Sequence, residues 1–250
     1  MDKKFLTYNM EVNGLTQEVR FSEQAVEEIF MPLLHELTDL RLTLDRKVIA
    51  YLVAPPGSGK STVAQFLEWL SRERSDEVDP IRALGMDGFH YTAAYMNVTN
   101  VERDGQQILM RDIKGAPETF DVDLLVEKIR ELRQEGTDWN IYDRRIHDVL
   151  PDYFSVEDDI VLIEGNYLLL KDRGWTDVRV LADYSVFIDA DADLLRERIV
   201  GRKIMGGSSR EAAEKFFDFS DARNIERILK NSARADETWK LLPDGDFEKQ

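Results

Sequence analysis

The sequence predicts an α/β fold, a doubly wound, mainly parallel sheet with helices on both faces. Three observations carry that prediction. Apolar runs of strand length recur at 47–54, 81–86, 160–163 and 184–188. Stretches with helical spacing lie between them, notably 122–134 and 192–200. The first run empties into a loop rich in glycine and proline, residues 54–59. A near-continuous apolar run is how a strand buried on both faces reads, and strand–helix alternation is the pattern of parallel crossovers.

The elements follow in chain order. Residues 5–21, FLTYNMEVNGLTQEVRF, hold two β-prone runs about Asn13-Gly14, a favoured two-residue hairpin turn. Ser22 reads as the N-cap of a helix to about Leu44, with Gln24 and Glu27 in its opening turns. Val26, Ile29, Phe30, Leu33, Leu34, Leu37 and Leu40 recur there at helical spacing, and Pro32 predicts a kink. The first buried strand, 47–54, leads through the loop to a helix over 60–74. Further strands are expected at 81–86, 139–142, 160–163 and 184–188. Residues 201–210, GRKIMGGSSR, are basic and glycine-rich and read as a mobile loop. The expected organisation is a hairpin and helix over 1–46 packed on a main domain over 47–250.

Composition limits the function classes. With 250 residues and 43% hydrophobic content, the chain can build one α/β domain with a real core and barely two. Lys and Arg number 33 against 49 Asp and Glu, a formal net charge of −16. An acidic surface repels phosphate backbones and anionic bilayers, so neither nucleic acid nor a membrane is an expected partner. A local cationic cleft for a small anion stays open. There are no cysteines, which excludes disulfides, thiolate metal sites and cysteine nucleophiles. His35, His90 and His147 are too scattered for a zinc site. With no leader-like segment and no run of 18 apolar residues, a cytoplasmic protein is expected. The oligomeric state is not read from the sequence, and a homodimer stays open.

The loop Ala54-Pro55-Pro56-Gly57-Ser58-Gly59-Lys60-Ser61-Thr62 follows a predicted strand and opens a predicted helix. That is the context a P-loop requires. Gly57 and Gly59 can take φ values closed to other residues and turn successive N–H groups around a phosphate. The helix N-terminus adds its positive dipole end. Lys60 can reach the β- and γ-phosphates, and the Ser61 hydroxyl can ligate Mg²⁺. Ala54 stands where the motif usually has its first glycine. The motif specifies a nucleoside triphosphate with Mg²⁺, ATP being the expected one. Neither an Asn-Lys-x-Asp run nor a Leu-Ser-Gly-Gly-Gln signature is present. Those absences shift weight from GTPases and transporter ATPases toward a small-molecule kinase.

Two acids end predicted strands, where ligands bind in open α/β sheets. Asp87, in Met86-Asp87-Gly88-Phe89-His90-Tyr91, is placed either to accept a proton from an attacking hydroxyl or to cap the turn before Gly88. Glu164, in Ile163-Glu164-Gly165-Asn166-Tyr167, follows four apolar residues, as the second metal-binding motif of P-loop proteins does. It reads as a holder of Mg²⁺-bound water or of substrate, or as a solvated strand end.

AxxxxGKST, MDGFHY and IEGNY, in this order, resemble the kinases grouped with uridine kinase, phosphoribulokinase and bacterial pantothenate kinase. Lys114-Gly115-Ala116-Pro117-Glu118-Thr119-Phe120-Asp121, with YDRRIH and EGNYLLL, is similar to the nucleoside/nucleotide kinase-like branch that includes fructose-transport kinases. The resemblance covers about 47–240. It implies a P-loop NTPase fold with a five-stranded parallel sheet, flanking helices and a small lid at about 200–212. It implies Asp87 as catalytic base, and a substrate site drawing on His90, Tyr91, Tyr142, Arg144, His147, Glu164, Asn166 and Tyr167. Tyr142 and His147 correspond to the pair that meets the nucleobase in uridine kinase. Arg144 replaces the phenylalanine of that motif and suits a polar or anionic substrate better. Core packing for Tyr142 and an ordinary surface place for His147 are the alternatives. Arg198, Arg202 and Lys203 match the arginine-rich lid, where a cation neutralises charge on the phosphoryl group in flight. A solvated helix face is the alternative. Three functions remain open: a kinase for a sugar, nucleoside or pantothenate-like alcohol, an NTP hydrolase, and a nucleotide-gated switch.

Overall fold

The computed structural model describes residues 3–12, 15–103, 105–134 and 137–250. Strand β1 (Phe5–Val12) pairs antiparallel with β2 (Leu15–Ser22), Val12 opposite Leu15. The expected turn at Asn13-Gly14 lies outside the described residues. Ser22 caps the next helix as expected, its Oγ accepting from the Ala25 N–H at 2.9 Å. That helix, α1 (23–44), widens into a π turn at Val26–Phe30 before continuing as Met31–Leu44. Pro32 cannot donate a hydrogen bond, and its ring crowds the carbonyl four residues back. The wider turn ahead of it relieves both.

Ten more strands follow among the described residues: β3 (Val48–Val53), β4 (Ile81–Gly85), β5 (Asn100–Arg103), β6 (Gln106–Leu109), β7 (Thr137–Asp143), β8 (Asp148–Val156), β9 (Ile160–Gly165), β10 (Tyr184–Asp189), β11 (Glu237–Leu241) and β12 (Phe247–Lys249). The main sheet has the order β4-β9-β3-β10-β11-β12. Its first five strands are parallel, and β12 closes the edge antiparallel. One expected strand belongs elsewhere. Residues 139–142 lie in β7, which pairs antiparallel with β8 in a separate hairpin. The fifth parallel strand is β11, ETWKL. Its alternating pattern hid it, because Glu237, Trp239 and Leu241 are buried while Thr238 and Lys240 are only half so.

The helices that matter for the site are α2 (Lys60–Glu73), α3 (Val122–Glu131), α4 (Ala192–Met205), α5 (Arg210–Phe216) and α6 (Ala222–Asn231). Residues 201–205, read as loop from sequence, form the last turn of α4. Arg202, Lys203, Ile204 and Met205 all tolerate a helix, and only Gly206-Gly207 stops it, with Gly207 at φ 97°. The break is therefore confined to 206–209, and Ser209 caps α5.

Burial on both faces of the sheet explains the apolar runs. On β3, Val48, Ala50 and Leu52 join one core, and Ile49, Tyr51 and Val53 the other. The first core takes in the N-terminal hairpin. The rings of Tyr8 and Phe21 lie 4.8 and 4.4 Å from that of Phe66 on α2, and Phe30 reaches Trp239 at 5.5 Å. Such aromatic pairs are worth about 0.5–1.5 kcal/mol each beyond burial. The second core packs α3, Trp139, Tyr167 and Trp175. Among the described residues no helix is long and apolar enough to cross a membrane. The parallel strands deliver their carboxyl ends to one rim, and the candidate residues gather there.

Candidate active site

The loop after β3 has the backbone its glycines predict. Gly57 and Gly59 sit at φ 86° and 88°, left-handed values that an L side chain resists. A Cβ on Gly57 would also meet Ile199 Cγ1 at 2.9 Å, because α4 leans over the loop. Arg198 lies on that helix, and its Nη2 would be 3.8 Å from a Cβ on Gly59. Ala54 is fully buried and has an ordinary negative φ, so nothing there requires a glycine. Ser58 is buried, and its Oγ has no hydrogen-bond partner among the described residues. Pro56 and Thr62 are half-buried parts of the loop and of the first turn of α2.

Lys60 and Ser61 open α2 and meet at one carboxylate. Ser61 Oγ donates to Glu164 Oε1 at 2.7 Å, and Lys60 Nζ stands 3.6 Å from Glu164 Oε2. Glu164 ends β9, the strand next to β3, and is 8% exposed. Burial pushes its carboxyl above the usual range; Lys60 opposes that shift and the negative charge of Asp87 adds to it. The loop fits a phosphate chain: inward-turned glycines, a helix N-terminus, a lysine and an unsatisfied buried hydroxyl. Ser61 and Glu164 are hard oxygen donors of the kind Mg²⁺ takes. No cluster of three His, Asp or Glu suited to a metal occurs among the described residues.

Asp87 follows β4 in a 3-10 turn, Met86–Phe89. The sheet order puts β9 between β4 and the phosphate-loop strand, so the carboxylate beside β3 is Glu164, with Asp87 one strand further out. Gly88, the next residue, serves packing. A Cβ there would sit 2.2 Å from the Asn140 carbonyl oxygen, so the glycine admits the backbone of β7 rather than freeing Asp87 to swing. Gly88→Ala should force the two backbones apart and cost about 1–3 kcal/mol. That is a fall of several degrees in Tm, together with loss of activity; an unchanged Tm would contradict the contact.

Asp87, His90, Lys114, Tyr142, Arg144 and His147 line a cavity of ≈ 230 Å³. It adjoins a groove of ≈ 740 Å³ that shares Asp87, Tyr142 and Arg144 and reaches Glu164. Lys114 Nζ donates to the Tyr142 hydroxyl at 2.7 Å and to the His147 carbonyl at 3.2 Å. Arg144 and His147 stand exposed in the β7–β8 turn, with His147 left-handed at φ 56°. Asp143 ties that turn, accepting from the Arg145 N–H at 2.8 Å and from its guanidinium. The Arg145 contacts hold the Asp143 carboxyl down at about 2.

The sequence profile of the Phosphoribulokinase / Uridine kinase family matches residues 48–245. The chain belongs to this family. Membership makes it a small-molecule kinase, a phosphotransferase with an alcohol group as acceptor. Among similar proteins is "Uncharacterized protein YggC" of Escherichia coli (strain K12), 39% identical over 94% of this chain and 96% of that one. "Putative uridine kinase C227.14" of Schizosaccharomyces pombe is 31% identical over 76% and 82%. The crystal structure of a "putative fructose transport system kinase" from Silicibacter sp. TM1040 superposes with a TM-score of 0.69 at 28% identity, covering 81% of this chain and 98% of that one.

In this member of the phosphoribulokinase/uridine kinase family, some expected residues fall outside the small cavity. Tyr167 is fully buried among Phe120 and Trp175, and its hydroxyl donates to the Gly115 carbonyl at 2.5 Å. It braces the loop that carries Lys114. Tyr91 packs on Tyr95 at 4.7 Å. Asn166 keeps a buried Oδ1 without a partner among the described residues and does not line the cavity. Arg198 and Arg202 line a groove of ≈ 920 Å³ between α4 and Pro243-Asp244-Gly245. Arg202 also feels the charges of Arg144, Asp221 and Asp87. Lys203 is held by Asp221 at 3.5 Å and lies over the Phe216 ring. Lys114 was quoted from sequence only as part of a family stretch. A lysine in a short loop carries no local signal, and only the folded β7 hairpin brings Tyr142 to it.

His90 lines the cavity from a buried position. Its ring stacks on Phe120 at 3.8 Å, and its Nδ1 stands 3.1 Å from the Thr119 carbonyl oxygen, which fixes the proton on Nδ1. Burial pushes its pKa down, more than the charge of Asp87 lifts it. A depressed folded-state value contributes stability that is present above the unfolded value near 6.5 and is lost as pH falls below it. Between pH 7 and pH 5, wild-type Tm should therefore fall further than that of His90→Gln. Parallel melting curves would contradict a buried neutral His90.

Proposed function

We propose that the protein transfers the γ-phosphate of Mg²⁺-ATP to a hydroxyl of a small metabolite, a sugar, a nucleoside or a pantothenate-like alcohol. The observation that carries this reading is the second cavity. A hydrolase or a switch needs only a phosphate loop, whereas here a carboxylate, Asp87, lines a separate pocket beside one. Its ≈ 230 Å³ lies below the usual range of drug-sized sites and fits a small acceptor.

The residues divide the work. Gly57, Ser58, Gly59 and Lys60 bind and orient the phosphates, and Ser61 with Glu164 would hold the metal ion. Mg²⁺ supplies charge neutralisation on the phosphate oxygens when bound. Asp87 positions the acceptor hydroxyl and takes its proton as the new P–O bond forms. Tyr142, Arg144, His147 and Lys114 hold the acceptor, with His90 as a neutral wall. Arg198 and Arg202 stand over the phosphates from α4, and the end of that helix with the 206–209 break forms a lid over about 200–212. The test is ADP release measured with ATP alone and with a library of hydroxylated metabolites. Stimulation by one chemical class supports the reading. Equal rates with every compound would leave a hydrolase.

A further inference from the structure

We infer that the acceptor carries an anionic group, seated against Arg144 and Lys114 in the small cavity. The inference rests on the kinase reading and names its substrate class. In a chain of net charge −16, most cations are spoken for. Arg145, beside Arg144, is bound by Asp143; Arg82 is held by Glu68 and Asp158, and Arg133 by Asp183. No salt bridge joins Arg144 to a carboxylate among the described residues, and its charge bears on Arg202. Lys114 spends hydrogen bonds on two neutral oxygens, the Tyr142 hydroxyl and the His147 carbonyl, and keeps its charge and a third N–H.

Both cations line the same small cavity, whose one acidic side chain is Asp87. No residue of the phosphate loop lines this cavity, and the triphosphate is served by Lys60 and the loop N–H groups. His90 is buried and neutral and cannot balance them. With Asp87 turned to the reacting hydroxyl, the cavity keeps two cationic donors that no second acid there neutralises, one a planar fork suited to a carboxylate or a phosphate. The matching acceptor has a hydroxyl at one end and a carboxylate or phosphate at the other: a sugar acid or a sugar phosphate rather than a neutral sugar or nucleoside.

The experiment uses matched probes that differ in charge: ribitol against ribonate, sorbitol against gluconate, and ribose against ribose 5-phosphate. ADP release gives kcat/KM, and melting curves with a non-hydrolysable ATP analogue give binding. The acidic members should be preferred by about 10–100-fold, the worth of one or two charge-assisted hydrogen bonds. The carboxylate and phosphate arms say which anion is taken. Arg144→Gln, an exposed site where folding is not at risk, should remove about tenfold of that preference through acceptor KM, with KM for ATP unchanged. Lys114→Gln should do the same. Turnover favouring the neutral members, or a preference that survives both variants, overturns the inference and leaves the kinase reading standing. Stabilisation by the acidic members without ADP release supports the anion site and tells against phosphotransfer. Neither stabilisation nor release with any member overturns both.

Discussion

Asp87→Asn should slow acceptor phosphorylation by about 10²–10⁴-fold, the usual worth of general base catalysis. The amide keeps the size of the side chain and its place in the 3-10 turn but cannot take the hydroxyl proton. Because phosphoryl transfer has a loose transition state, the base mainly aligns the hydroxyl and accepts its proton late. The loss should therefore fall on kcat, with ATP affinity little changed. Slow hydrolysis without acceptor should survive better than transfer. Misfolding can be separated from chemistry. The charge of Asp87 helps push the buried Glu164 carboxyl upward, so removing it eases a like-charge repulsion, and the variant should melt no lower than wild type. Wild-type transfer rates in Asp87→Asn would reduce Asp87 to a turn cap.

Lys60→Ala should cost at least about 10²–10³-fold with every acceptor, the scale of removing one preorganised donor from developing charge. Lys60 is the only cation that the structure joins to the Glu164–Ser61 pair among the described residues. Losing it removes a contact to the phosphates and leaves Glu164 buried beside a hydroxyl alone. That carboxylate then takes up a proton rather than standing as a bare buried charge, so the fold should persist while its metal-holding form is lost. Calorimetry should show weakened ATP binding together with the lost turnover. Turnover like wild type would remove the phosphate loop from the chemistry.

Legibility from sequence followed physical locality. The phosphate loop, its strand and α2 were readable because a strand, GSGKST and a helix are consecutive, and strict φ demands fall on Gly57 and Gly59. Four of the five parallel strands were readable because burial on both faces leaves an unbroken apolar run. β11 escaped because its pattern alternates, and 139–142 misled because a hairpin strand with Trp139 in the core carries the same local signal. Glu164 was legible as a strand-end acid, but its clasp by Lys60 and Ser61 spans about a hundred positions and is a property of the sheet order. Tyr167 read as a site residue because it follows Asn166 in the motif, whereas its hydroxyl serves the loop at Gly115. Lys114 became visible only when β7 folded against that loop. The need for glycine at position 88 was not legible. The reason, the carbonyl of Asn140, lies 52 residues away in sequence and could not be read locally.

The most direct measurement follows the phosphate itself. ATP carrying a label on its γ-phosphate is incubated with the enzyme and the acidic acceptor that most stimulates ADP release, and the products are separated. Phosphotransfer to an alcohol predicts one labelled phosphomonoester per ADP formed, on a hydroxyl of the acceptor, with the yield collapsing in Asp87→Asn. Label recovered only as inorganic phosphate, at the same rate with and without acceptor and in both proteins, would contradict it.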